Sequence, residues 1–120
     1  MRNPPHFTPG LEADAVARRL RSMFGLRACW YESFPFDVQL PRIEPGRIVL
    51  PATEPGVAPW RLDNGVELPV RLGNVTLGRF VLVAATPTSG VCLPSARRAE
   101  AIDLAERVAP TIADAILAGA

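Results

Sequence analysis

Hydrophobic positions near the amino terminus recur every three or four residues, which is the spacing of one helical face. They are Ala13, Val16, Ala17, Leu20, Met23 and Phe24. Thr8 suits the cap position before this stretch, Pro9 its first turn, and Gly25 its end. The pattern therefore predicts a helix over about residues 10–24, preceded by a lead-in at 1–8 that we expect to be flexible.

The next part of the chain predicts short strands interrupted by prolines. Residues 27–34 are rich in aromatic side chains and indicate a first strand. Six prolines then lie between Pro35 and Trp60, and proline cannot donate a hydrogen bond within a sheet. This segment has room for one short strand at 47–50, and we expect the rest of it to be extended loop.

A β-hairpin follows. Residues 66–72 alternate between apolar and polar side chains, and Gly73 and Asn74 suit a two-residue turn. The stretch 75–85 is apolar at successive positions, which predicts a strand covered on both faces. Gly78 within it predicts a bulge or a close approach of another part of the chain.

The chain ends in an apolar stripe that predicts a long helix over about 96–118. Its members are Ala101, Ile102, Ala105, Val108, Ala109, Ile112, Ile116 and Leu117. We expect Pro110 to kink this helix rather than to end it. Strands that lie between terminal helices predict a single α+β domain over 9–120, with a central antiparallel sheet and both helices packed on one face.

Composition narrows the chemistry. The 120 residues are 48% hydrophobic and carry a net charge of +1, which argues against nucleic-acid binding. All basic residues are arginine, and His6 is the only histidine, which excludes lysine Schiff bases and two-histidine metal motifs. No secretory h-region and no membrane-length apolar stretch are visible, so we expect a cytoplasmic protein without membrane or nucleic-acid partners.

Two segments resemble GAF domains. Residues 104–116, Leu-Ala-Glu-Arg-Val-Ala-Pro-Thr-Ile-Ala-Asp-Ala-Ile, are similar to the closing helix of that family, including its Ala-Pro step. Residues 67–83 resemble its hairpin, in which a strand with a proline and a short turn lead through a Leu-Gly step into an apolar strand. The resemblance implies sensory, regulatory and dimerising roles, and a small-molecule pocket on the sheet face opposite the helices. A roadblock-like or other profilin-like sandwich is the alternative fold.

The chain also departs from that family. The proline-rich residues 35–60 replace the helices that cover the pocket, and the Asn-Lys-Phe-Asp-Glu motif of cyclic-nucleotide-binding members is absent. Cys92 is followed by leucine rather than by the histidine of a bilin site, and His6 lies outside the expected fold. We therefore expect no cyclic nucleotide, bilin, haem or other cofactor, and no metal site.

Four residues are candidates for ligand contacts. Trp30 and Trp60 suit the aromatic walls of a pocket, Glu32 supplies a carboxylate beside Trp30, and Cys92 follows a Ser-Gly loop. The alternative is that both tryptophans anchor the core or a loop. Together with Cys29, Cys92 also permits a second hypothesis, a thiol-based reductase of methionine sulfoxide, as in a few GAF-fold enzymes.

Small residues repeat along the last helix, with alanines at 101, 105, 109 and 113. Because this stripe is wider than one sheet contact requires, the sequence predicts a homodimer through the first and last helices. The expected contacts are Val16, Leu20, Ala105, Ala109, Ile112 and Ile116. The leading hypothesis is a non-catalytic, GAF-like regulatory module that acts through small-molecule sensing or dimerisation. A protein-interaction domain with a degenerate pocket is the alternative.

Overall fold

Two helices and five strands make up the described part of the chain. A computed structural model describes residues 10–36, 38–44, 47–50, 65–85 and 95–119. The elements in chain order are α1 (Gly10–Phe24), β1 (Ala28–Ser33), β2 (Arg42–Glu44), β3 (Arg47–Val49), β4 (Val66–Leu72), β5 (Val75–Val83) and α2 (Ser95–Gly119). The predicted α+β fold is confirmed, and α2 continues through Pro110. The predicted lead-in at 1–8 lies outside the described residues.

The strands form one sheet in the order β1-β5-β4-β2-β3. Its strand pairs are antiparallel except that β2 runs parallel to β4, with Arg42 beside Glu67. The sequence pattern did not predict β2, because a three-residue strand directly after Pro41 is too short to show alternation. The tight turn between β4 and β5 was predicted correctly, and Gly73 enters it with a positive φ of 62°.

Pro69 limits how far β2 can follow β4. The N–H of Glu67 donates to the carbonyl of Pro41 at 2.7 Å. The next bond of a parallel ladder would run from residue 69 to the carbonyl of residue 43, and Pro69 has no N–H to give. A cavity of about 520 Å³ lies at this point. Its lining residues, which we call the wedge, are Ile43, Glu44, Leu68, Pro69, Arg71, Gly73, Ile102 and Glu106.

The main core lies between the sheet and the helices. α1 and α2 pack against each other and against one sheet face, the inner face. The largest fully buried side chains of this core are Leu20, Leu68, Val70, Phe80, Leu82 and Ile112. Burying such a side chain contributes about 1.5–3 kcal/mol, so this layer supplies much of the stability.

Most of the expected dimer contacts lie inside this core. Leu20, Ala109 and Ile112 are 0% exposed and Ala105 is 2% exposed. These four side chains belong to the chain's own core rather than to a surface that a second chain can reach. Val16 is half-buried against the same core, and Ile116 is exposed. The outward surface of the two helices carries charge of both signs, at Glu12, Asp14, Arg18, Arg19, Arg21, Arg97, Asp103, Glu106, Arg107 and Asp114.

The opposite, outer face of the sheet is covered by the chain that follows β1. Residues 34–36 and 38–41, which we call the crossing segment, lead from the edge strand β1 towards β2 on the far side of β4. Val38 and Leu40 of this segment pack on Val81 and Val83 in a second apolar cluster. β5 is therefore buried on both faces, as its continuous apolar sequence predicted.

Gly78 of β5 lies in close contact with β1. A Cβ atom at this position would overlap the Tyr31 ring and the carbonyl oxygen of Glu32. The Tyr31 hydroxyl donates to the Leu77 carbonyl at 3.2 Å, and the Tyr31 ring meets Phe80 edge-on at 5.5 Å. The β4–β5 register also shifts here, between Val70 and Arg71. Both the predicted close approach and the predicted irregularity are confirmed.

Of the helices that the structure describes, neither combines the length with the apolar character needed to cross a membrane.

A methyl group at Gly78 should be costly. We expect Gly78→Ala to lower the free energy of unfolding by roughly 2–3 kcal/mol, because the Tyr31 ring and the β1 backbone must both move. Gly25→Ala is the control, since nothing lies within 4 Å of its added methyl, and only its positive φ costs about 1 kcal/mol. Urea denaturation measures both variants. Equal midpoints for Gly78→Ala and the parent chain would contradict the close approach.

Candidate functional site

The outer face of the sheet brings charged and aromatic side chains together under the crossing segment. Strand pairing puts Glu32 of β1 directly opposite Arg79 of β5, and Trp30 opposite Val81. Glu67 of β4 lies on the other side of Val81. Because opposite residues in a sheet point to the same face, these side chains project together on the side away from the helices.

Arg79 is the centre of this group. Its side chain is 4% exposed, and its guanidinium lies between two carboxylates. Nε and Nη2 donate to Oε1 of Glu32 at 3.0 and 2.8 Å, and Nη1 donates to Oε1 of Glu67 at 2.8 Å. A buried charge is tolerated only when it is paired and hydrogen-bonded, and these three bonds meet that condition. We call Arg79, Glu32 and Glu67 the ion cluster.

Aromatic groups complete the surroundings of the ion cluster. The Phe36 ring of the crossing segment lies over the guanidinium, with 4.1 Å from the Arg79 Cζ to the ring centre, which is a cation–π contact. Phe34 meets Phe36 edge-on at 5.4 Å. Trp30 Nε1 donates to Oε2 of Glu32 at 2.9 Å, so both oxygens of this carboxylate are engaged. The cluster thus links three strands to the crossing segment.

Two hollows adjoin the ion cluster, and both are lined by Glu32, Val38 and Arg79. The first has a volume of about 400 Å³ and is bordered by Ser33, Pro35 and Phe36. The second, of about 210 Å³, we call the apolar hollow. Its remaining lining residues are Arg27, Ala28, Trp30, Leu40, Val81 and Val83. Apolar walls with a few polar groups at one side are typical of small-molecule sites.

Two of the four predicted ligand residues meet here. Trp30 and Glu32 line the same hollow and are hydrogen-bonded to each other. Trp60 and Cys92 lie outside the described residues. The sequence analysis missed Arg79, Glu67 and Phe36 as members of the site. One signal was present, since Arg79 is the only charge within the otherwise apolar stretch 75–85, but its carboxylate partners could be known only from the strand register.

Cys29 lies on the other face of β1, among the partly buried side chains against the main core. Burial raises the pKa of its thiol from 9.0 to about 12, so at neutral pH it is protonated and a poor nucleophile. Among the described residues, no three histidine, cysteine or acidic side chains are grouped closely enough to hold a metal ion.

Comparison of the chain with family models, with curated proteins and with solved structures finds no match. The resemblance to GAF domains therefore stays a prediction from the sequence.

Removal of the buried Arg79 guanidinium should strongly lower the stability of the fold. We expect Arg79→Met to destabilise the fold by about 3 kcal/mol, because the Glu67 side chain, which is only 14% exposed, loses its cation, and Glu32, which is 36% exposed, loses two hydrogen bonds. Arg107→Met is the control. Its ion pair with Asp103 has the same 2.8 Å distance, but its side chain is 75% exposed, and such pairs contribute about 0–1 kcal/mol. Thermal unfolding followed by circular dichroism measures both. Similar losses in the two variants would show that Arg79 is not held as described.

The thiol of Cys29 should resist modification in the folded protein. In a Cys92→Ser variant, we expect the thiol reagent DTNB at pH 8 to react with Cys29 only slowly, since its pKa of about 12 leaves almost no thiolate. In denaturant the same variant should release one equivalent of the product promptly. Fast reaction of the native variant would contradict this prediction and revive the reductase hypothesis for Cys29.

Proposed function

We propose that the protein is a non-catalytic, GAF-like sensory module that binds a small molecule on the outer face of its sheet. The observation that carries the proposal is the apolar hollow beside the ion cluster. Its floor is formed by Ala28, Val81 and Val83, and its polar side is the pair Glu32 and Arg79. This combination offers burial to the body of a ligand and oriented hydrogen bonds to one end.

The geometry also indicates the shape of the ligand. Arg27, directly before β1, and Glu32, near the end of β1, both line the hollow, and the strand from Ala28 to Glu32 spans roughly 13 Å. Between them the walls are the side chains of Trp30, Val38 and Leu40. An elongated ligand with an apolar middle and polar ends fits this arrangement. The volume of about 210 Å³ favours a metabolite of modest size over a nucleotide.

The state of the polar groups favours binding over catalysis. Arg79 uses three donor bonds on two carboxylates, and Glu32 accepts from Arg79 and Trp30. Groups held in this way are rigid and preorganised, which lowers the entropic cost of binding. A general acid or base would instead have to release one of these partners before it could exchange a proton with a substrate.

Filling the hollow tests this proposal. A ¹⁵N-labelled chain is titrated with a library of small metabolites with apolar bodies and polar ends, and amide and indole shifts are followed by NMR. We expect bound compounds to shift the Ala28 and Val81 amides and the Trp30 indole signal. Ala28→Leu, which places three further carbons in the hollow, should weaken binding by at least about tenfold, or about 1.4 kcal/mol.

Ala99→Leu is the matched control, since it makes the same change on the exposed surface of α2 and should leave binding unchanged. Shifts that cluster at Ile43 and Ile102 instead would place the ligand in the wedge and refute the outer-face site. A library that produces no shifts near Trp30 counts against sensing at this face.

A further inference from the structure

The strand that carries Trp30 and Glu32 is also an edge of the sheet. Among the strands that the structure describes, β1 pairs with β5 on one side only. On its other side, no hydrogen bond from any backbone group of the described residues reaches it. At six residues it is twice as long as β3, the opposite edge, which has three.

The register shows which backbone groups face this free edge. The N–H of Phe34 donates to Leu77 at 3.1 Å, so Phe34 and every second residue before it turn their N–H and C=O towards β5. The bond from Glu67 to Pro41 agrees with this alternation. It turns the odd residues of β4 towards β2, so the even residues of β4 bond with the even residues of β5, and the odd residues of β5 are left to bond with β1. Cys29, Tyr31 and Ser33 therefore direct their backbone groups outwards.

Within the described residues, this edge lacks the usual protection. Exposed edges are normally blocked by proline, by lysine, by a bulge, by a charged side chain that points inwards, or by a helix or loop that covers them. The stretch 28–33 contains no proline and no lysine, and its β5 register is regular throughout. Its one charge, Glu32, is neutralised by the ion pair with Arg79, so it presents no unpaired charge to a neighbouring strand. Beside the edge, Trp30 is 42% exposed and Phe34 is 59% exposed.

We propose that β1 pairs antiparallel with β1 of a second copy of this chain, with Tyr31 opposite the partner's Tyr31. Two five-stranded sheets then join into one continuous sheet. In this register the outward groups of Cys29, Tyr31 and Ser33 meet outward groups of the partner, so every free donor finds an acceptor.

The side chains and charges of β1 complement each other in this register. On the outer face, Glu32 lies opposite the partner's Trp30 rather than opposite a second carboxylate, and Phe34 covers the partner's Ala28. A shift by one residue in each chain, to Glu32 opposite the partner's Glu32, would oppose like charges. The pairing also covers Trp30 and Phe34, two aromatic side chains that are exposed in the single chain.

The interface and the apolar hollow would share one strand. Because Trp30 and Glu32 line the hollow, a ligand that fixes them also fixes the surface that the partner meets. By linkage, dimer formation would then strengthen ligand binding by the same factor. Dimerisation itself does not depend on the proposed sensing function, and it can be tested without a ligand.

Cross-linking across the proposed two-fold axis tests the register. In a Cys92→Ser background, Ala28→Cys and Phe34→Cys are made singly and together. Residues 28 and 34 of the two chains form a non-hydrogen-bonded pair, with about 4.5 Å between Cα atoms, which a disulfide can span. With oxidised glutathione as oxidant, the double variant should give a disulfide-linked dimer. Each single variant should not, and an equimolar mixture of the two should.

The parent chain should show twice its 12.9 kDa mass by light scattering at high micromolar concentration. Ser33→Pro removes one outward N–H and no bond to β5, so it should be a folded monomer, with folding checked by circular dichroism. A monomeric parent chain overturns the proposal, including the case in which a different protein uses this edge. A dimer in which the single variants cross-link as readily as the mixture overturns the register. If Ser33→Pro fails to fold, the cross-linking result decides.

Discussion

Burial of β5 on both faces is the constraint on which the other elements depend. Phe80 and Leu82 face the helices, while Val81 and Val83 face the crossing segment. A strand in this position needs a neighbour at each edge and a layer on each side. β1 and β4 provide the edges, α1 and α2 cover the inner face, and the chain after β1 covers the outer face. Arg79 is the exception in this strand, and the ion cluster compensates for its burial.

The sequence predicted the elements that have a strong repeat of their own. α1 was predicted with the bounds that it has, and β4, the turn at Gly73 and the long helix α2 were placed within one or two residues. Their apolar spacing is set by local geometry, helical or extended, and so is visible in one chain. β2 was missed, because its pairing is decided by the distant residue Glu67 rather than by its own three residues.

Only part of the candidate site could be predicted from the sequence, for the same reason. Trp30 and Glu32 stand two residues apart on one strand, so their shared face follows from alternation alone. Their contact with Arg79 depends on the register between β1 and β5, a separation of 47 residues. Phe36 reaches the site through the path of an irregular segment, which no periodicity describes. The excess of apolar residues in the helices suggested a dimer surface, but α1 and α2 use most of these residues to pack on each other and on the sheet.

Because Pro69 has no N–H to donate, the sheet consists of two parts that are joined by few hydrogen bonds. On one side, β1, β5 and β4 are joined by full antiparallel ladders, and on the other β2 and β3 form a small hairpin. The register between the two parts consists of one residue pair, Arg42 with Glu67. Such a junction lets the β2–β3 corner open as a unit while the three-stranded part keeps its bonds. Amide hydrogen exchange would then report two levels of protection within a single sheet, with the boundary between them at β4.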